Sequence, residues 1–214
     1  MATIGFKGIY AATYSESGST VSYTGCASMG KPIDCNMELK AAEGRLYAAD
    51  ALDKYRRKIT GGSISIVAED IPDTMRKLIF GEEDSARTVG SDTSVAGLKI
   101  TDSTVAPYVG IAGYAPEDVN GEDKFHAFFA PKALFASPSM HYKTMDTAIE
   151  FQVPTCVGEF MKAADGEIFE HAILDTEEDA IAWCELVLGG SGVAAAAVKS
   201  TAPLKAAPKS GGSK

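Results

Sequence analysis

The sequence predicts a mainly β fold of the α+β kind: antiparallel strands, one short flanking helix and a second helix near the C-terminus. Three observations carry that expectation. Residues 59–68, ITGGSISIVA, place Ile64 and Ile66 on one side and Ser63 and Ser65 on the other, the period of two of a half-buried strand. Asn120-Gly121 lies between two β-rich runs and is a hairpin signal, because both residues tolerate the positive φ of a tight turn. Helix punctuation occurs twice, at Pro72 to Gly81 and again at Asp175-Thr176 to Gly189-Gly190.

Taken in order, residues 33–47 (IDCNMELKAAEGRLY) begin with alternation and have β-compatible ends around an Ala- and Glu-rich middle. A charged segment follows at 50–58, DALDKYRRK, which reads as a loop before the 59–68 strand. Gly61-Gly62 inside that strand predicts a bulge or bend. Pro72 suits a first helical turn, Met75, Leu78 and Ile79 share a face, and Gly81 is the stop. Residues 82–103 are polar and read as a long surface loop with room for one short strand.

Residues 104–115 (TVAPYVGIAGYA) are apolar and small, as in a strand buried on both faces, with Pro107 at an edge or bulge. Strands are predicted at 124–130 and 139–145, flanking a Pro-rich connection at 131–138. A long strand is predicted at 147–161, with Ile149, Phe151 and Val153 on one face. Asp165-Gly166 makes a turn before a strand at 168–174. The last helix has Asp175 or Thr176 as its cap and acids in its first turn. This gives one β domain over 1–189, with the polar insertion at about 82–103, and an Ala/Pro/Lys-rich tail over 190–214.

Composition narrows the function classes. The formal charge of −9 disfavours nucleic acid as a bound partner, since phosphate contacts need clustered Lys and Arg. The last 25 residues carry four lysines and no acid, so residues 1–189 hold −13. No stretch of about 18 apolar residues would span a bilayer, and no basic n-region precedes an apolar run, so neither a membrane span nor a secretory signal is expected. Cys26, Cys35, Cys156 and Cys184 form no CxxC pair and are read as free thiols, the last one and Cys156 as small buried hydrophobes. Trp183 reads as a core anchor.

Motifs for chemistry are absent: no GxGxxG after a strand, no GxxxxGK[ST], no GxSxG and no HExxH. DVNGEDKF sets Asp118, Asn120 and Glu122 at alternate positions, but its Gly is misplaced for a calcium loop and no Glu closes it. No metal, cofactor or catalytic residue is therefore expected. An enzyme would require two or more of His126, His141, His171 and the acids to converge in one concave pocket. The one dense basic run, Lys54 to Lys58, suits a nucleic-acid contact, a solvated loop or a salt-bridged protein interface. The flanking Asp50 and Asp53 favour the last two.

The order of elements adds to this. A short N-terminal segment leads to a strand pair around a charged loop, then to GGSISIVAEDIPDTMRKLIFG, a polar insertion, several strands, and a final strand and helix. With residues 47–83 and 124–155 as the strongest stretches, the chain resembles the major tail proteins of siphovirus-type bacteriophages over most of residues 1–175. The resemblance implies a tail-tube β-sandwich or half-barrel that closes with copies of itself into hexameric rings. These stack into a tube that houses a tape-measure protein and meets tail-terminator and distal tail proteins. The tube would sit in the virion, be made in the host bacterial cytoplasm, and let DNA pass without sequence-specific binding.

Such assembly is physically coherent. Pairing open sheet edges around a ring removes an aggregation hazard, a many-stranded barrel leaves an aqueous lumen, and head-to-tail stacking propagates. The candidate contact between rings is the charged loop, with Asp50, Asp53, Lys54, Tyr55, Arg56 and Arg57 as its residues; an ordinary surface loop is the alternative. The Lys-bearing tail could pack on an acidic neighbour or hang outside a tube. A capsid decoration or baseplate protein is the competing structural reading, and a small cytoplasmic enzyme the third.

Overall fold

Small and apolar residues fill the centre of the fold. The run expected to be buried on both faces forms β8 (Val109–Val119), which turns through Asn120 and Gly121, at φ 60° and 86°, into β9 (Glu122–Phe135). The Asp118 carboxylate accepts the Gly121 N–H at 2.8 Å and closes the turn. Alternation along this hairpin sends Ile111, Phe128 and Ala130 into one core, and Ala112, Ala127 and Phe129 into a second core on the opposite face. The computed structural model of the chain describes residues 2–48, 51–90, 93–139, 142–144 and 151–190.

Strands add to both sides of this hairpin, all antiparallel. β2 (Gly8–Ser17) pairs with β8, β3 (Thr20–Ser28) pairs with β2, and the short β1 (Ala2–Thr3) pairs with the far end of β8. On the other side β10 (Thr155–Met161) and β11 (Glu170–Leu174) share β9 lengthwise, β11 along 125–129 and β10 along 133–135. β5 (Ala51–Ala68) pairs with β10, and β4 (Pro32–Ala48) pairs with β5 and ends the sheet. From β8 to β4 is four strand steps, roughly 19 Å if the sheet were flat. Yet Thr3 and Phe6 line one cavity of about 380 Å³ together with Ile33, Cys35 and Met37 of β4. The sheet is therefore curled into an open half-barrel.

Two helices close the cores. α1 (Asp73–Phe80) buries Met75 and Ile79 in the concave core, with Leu78 half-buried beside them, and ends at Gly81 in the left-handed region at φ 70°. α2 (Glu177–Val187) lies on the convex side. Its Ala180 and Cys184, with Leu188 just beyond, repeat every four residues and press on Ala12, Ala112 and Phe129. Thr176 caps it by accepting the Asp179 N–H at 3.1 Å, and Glu177, Glu178 and Asp179 face the positive end of the dipole. Trp183 packs, partly buried, against this second core. Among the described residues no helix is long and apolar enough to cross a membrane.

The mainly β fold with its two helices holds, and so does the alternation of 63–66, where both isoleucines are buried. Five local expectations are corrected. The charged segment is not a loop: residues 51–58 are strand, continuous with 59–68, because β4 supplies a partner along the whole length. Residues 82–103 are not a loop with one strand. They form a hairpin of β6 (Glu83–Val89) and β7 (Thr93–Lys99), a separate two-stranded sheet. The Pro-rich connection is β9 continuing to Phe135, since Pro131 falls at the register shift opposite Val109 to Ile111, where a missing N–H costs no ladder bond. Of the long strand expected at 147–161, Thr155–Met161 is strand and 151–154 are not. Phe151 and Val153 are exposed, and Ile149 lies outside the described residues; of the strand expected at 139–145, Ser139 bridges to Thr155 and 142–144 lie outside strands.

Two substitutions test this packing. A Cβ at Gly62 would sit 2.2 Å from Phe160 Cζ and 2.4 Å from the Glu38 carbonyl. Gly62→Ala is expected to destabilise the domain by about 1–3 kcal/mol through overpacking, read as a lower thermal midpoint. Thr176→Ala removes the α2 cap, and denaturant titration is expected to show a loss of about 1 kcal/mol.

Candidate assembly interface

The β4–β5 pair divides at a bulge. Up to Lys40↔Gly61 it belongs to the sheet, and from Ala41↔Ile59 onward it runs beyond it, with Thr60 as the extra residue. The expected bend at Gly61-Gly62 is thus found one residue away. From Ala41 to Ala48 the free part is eight residues long, roughly 25 Å. Residues 42–47 and 53–60 are all exposed, whichever way their side chains point. The arm is a two-stranded ribbon with water on both faces.

Register assigns each charge to a face, because directly opposed residues of an antiparallel pair share one. Glu43↔Arg57 and Arg45↔Tyr55 share the first face, and Asp53 is the extra residue of a second register shift, between Lys54 and Leu52. That face pairs its charges with one another. Glu43 takes ion pairs from Arg57 and Arg45, each at 3.6 Å, and the Arg45 guanidinium lies 5.5 Å from the Tyr55 ring centre. Hydrogen bonding to Glu43 is the main cause that pushes the Tyr55 phenol above its ordinary pKa. The opposed residues of this face hold two cations and one acid. Ala42↔Lys58, Gly44↔Arg56 and Leu46↔Lys54 share the second face, which carries three cations and no acid. Among the described residues none of these three cations has an ion pair.

Of the expected contact residues, Asp53, Lys54, Tyr55, Arg56 and Arg57 all lie on this arm, split between its two faces. Asp50 lies outside the described residues. The sequence reading missed the division of the charges, although LDKYRRK alternates and would have shown it had the segment been read as strand. It also missed the β6–β7 hairpin, whose Glu83–Lys99 ion pair (3.3 Å) and Lys77–Asp84 pair are exposed.

The groups that could do chemistry are arranged differently. His126 and His171 do come together, their ring centres 5.5 Å apart, and His126 lines the 380 Å³ cavity with Asp34 and Cys35; His141 lies outside the described residues. Burial pushes the His126 pKa down, partly countered by the charge of Glu117, whose buried Oε2 has no hydrogen-bond partner among the described residues. Among the described residues the thiol lining this cavity is that of Cys35. Burial pushes the Cys35 thiol up to about 12, so it stays protonated at neutral pH. Cys156 and Cys184 are fully buried, with thiols at about 11 and about 12 for the same reason. Among the described residues no group of three or more His, Cys, Asp or Glu could hold a metal ion. No family model matches the sequence, and no curated protein matches it.

Proposed function

We propose that the protein is a structural virion protein that assembles into stacked, hexameric rings forming the tail tube of a long-tailed bacteriophage. The observation that carries this reading is the β4–β5 arm, exposed on both faces and extended well past the sheet. A two-stranded hairpin alone is marginal in water, and its exposed ion pairs contribute little. An arm of this length is intelligible as half of a contact. Open edges support the same reading. Among the described residues β3 and β4 each have one unpaired side, which pairing between copies around a ring would satisfy.

The charge distribution suits a conduit. The body is acidic, so DNA would pass without being held, and the genome, the tape-measure protein and the terminator and distal tail proteins are partners of the assembled tube.

Electron microscopy of the purified protein tests the proposal, with rings or tubes of uniform width as the expected result. Monomers or trimers alone would overturn it and favour a capsid decoration or baseplate component. Charge reversal at Arg56 and Arg57 together is expected to abolish elongation while the circular dichroism spectrum stays that of the folded β protein. Tubes of normal length from that variant would remove the arm from the interface.

A further inference from the structure

The two faces of the arm are not equivalent, and their difference assigns them different roles. We infer that the face bearing Lys54, Arg56 and Lys58 is the docking face of the arm, and that its occupant is the acidic surface of a second copy of this chain. This rests on the reading of the chain as self-assembling and specifies which residues make the contact.

Geometry singles the face out. The three cations stand at every second position of β5, roughly 7 Å apart. They stand beside Ala42, Gly44 and Leu46, none of which carries charge. Gly44 has open space where a Cβ would stand, so the floor between the cations is low and accessible. The opposite face spends its charges internally, on Glu43, Arg45 and Arg57.

Charge complementarity names the occupant. Residues 41–60 hold five basic and three acidic side chains, a balance of +2. The rest of residues 1–189 therefore carries −15. Every copy thus presents a small basic ribbon and a large acidic body. Face-to-face pairing of two arms through this surface would oppose three cations to three, which repels. Contact between the ribbon of one copy and the body of another is attractive, and it is strongest at low salt.

Adjacent residues on opposite faces provide the test. Arg56→Gln and Arg57→Gln remove the same charge from neighbouring positions and leave the net charge of the two variants identical. Self-association is measured by sedimentation velocity across a concentration series, at about 50 mM and about 500 mM salt. Arg56→Gln is expected to weaken assembly and flatten its salt dependence, and Arg57→Gln to leave both near wild type. The triple variant K54Q/R56Q/K58Q is expected to raise the half-assembly concentration about ten-fold or more at low salt. Equal effects of the two single variants would overturn the assignment, as would wild-type assembly by the triple variant. So would a wild type that stays monomeric at every concentration. Binding of a short DNA duplex that the triple variant loses, with self-association unchanged, would also overturn it and make nucleic acid the occupant. Discrete small oligomers in place of tubes, with the Arg56/Arg57 asymmetry intact, would refute the tail-tube reading while upholding the docking face.

Discussion

Everything in this fold hangs on a hairpin that must be buried on both faces. β8 and β9 lie between α2 on the convex side and the curled sheet with α1 on the concave side, so their side chains have limited room in either direction. That explains the glycines and alanines. A Cβ at Gly113 would meet Phe128 Cζ at 2.6 Å, and one at Gly110 would meet Tyr23 Cε1 at 2.6 Å. Small residues on one strand make room for aromatic rings from the next, which is how close packing is reached without voids. The hairpin also fixes where polar groups are tolerated. At its far end Lys132 lies 4.8 Å and 4.6 Å from the ring centres of Tyr14 and Tyr108 and ion-pairs with Glu16 at 2.9 Å, so a mostly buried cation is fully matched.

Beyond the bulge at Thr60 the governing physics changes. In the body, β4 and β5 are held by packing: Ile64 and Ile66 are buried, and Cys35 and Met37 lie against the same core. In the arm no core exists, and geometry is set by backbone pairing and by cross-strand charges alone. Charge on an exposed ribbon does little for folding, because water screens each pair. It can do much for association, since cations about 7 Å apart fall within one screening length of each other and act on an approaching surface together. The charges of the arm thus contribute little to the stability of the monomer.

How far the sequence could be read follows the same division. Where burial dictates residue choice, the reading succeeded. The 63–66 alternation, the apolar β8 run, the Asn120-Gly121 turn, and the caps at Gly81 and Thr176 all record local geometry that few other residues would satisfy. It failed where strands lack a core. DALDKYRRK and the polar stretch at 82–103 carry charge and hydroxyls on both sides, so hydrophobic periodicity had nothing to report, although both segments are paired strands. Pro131 misled for a narrower reason. A proline argues against a strand unless a bulge receives it, and the bulge is visible only once β8 is seen opposite. The candidate contact residues were found by their charge, but their separation onto two faces required the register.

That separation bears on symmetry. A two-fold contact must place the same patch on both partners, so a patch of uniform charge opposes itself and is disfavoured. A basic ribbon and an acidic body on one chain are different surfaces, and a contact between them would be heterologous. Heterologous contacts either close into rings or continue as filaments. Two such contacts are needed for stacked rings, one around the ring and one along the axis. The open edges of β3 and β4 suit the first, because edge pairing is a backbone interaction indifferent to charge. The arm suits the second, because it extends past the sheet and carries unmatched charge on a single face. On the tail-tube reading, ring closure would then persist at salt concentrations that stop elongation, since only the axial contact is electrostatic.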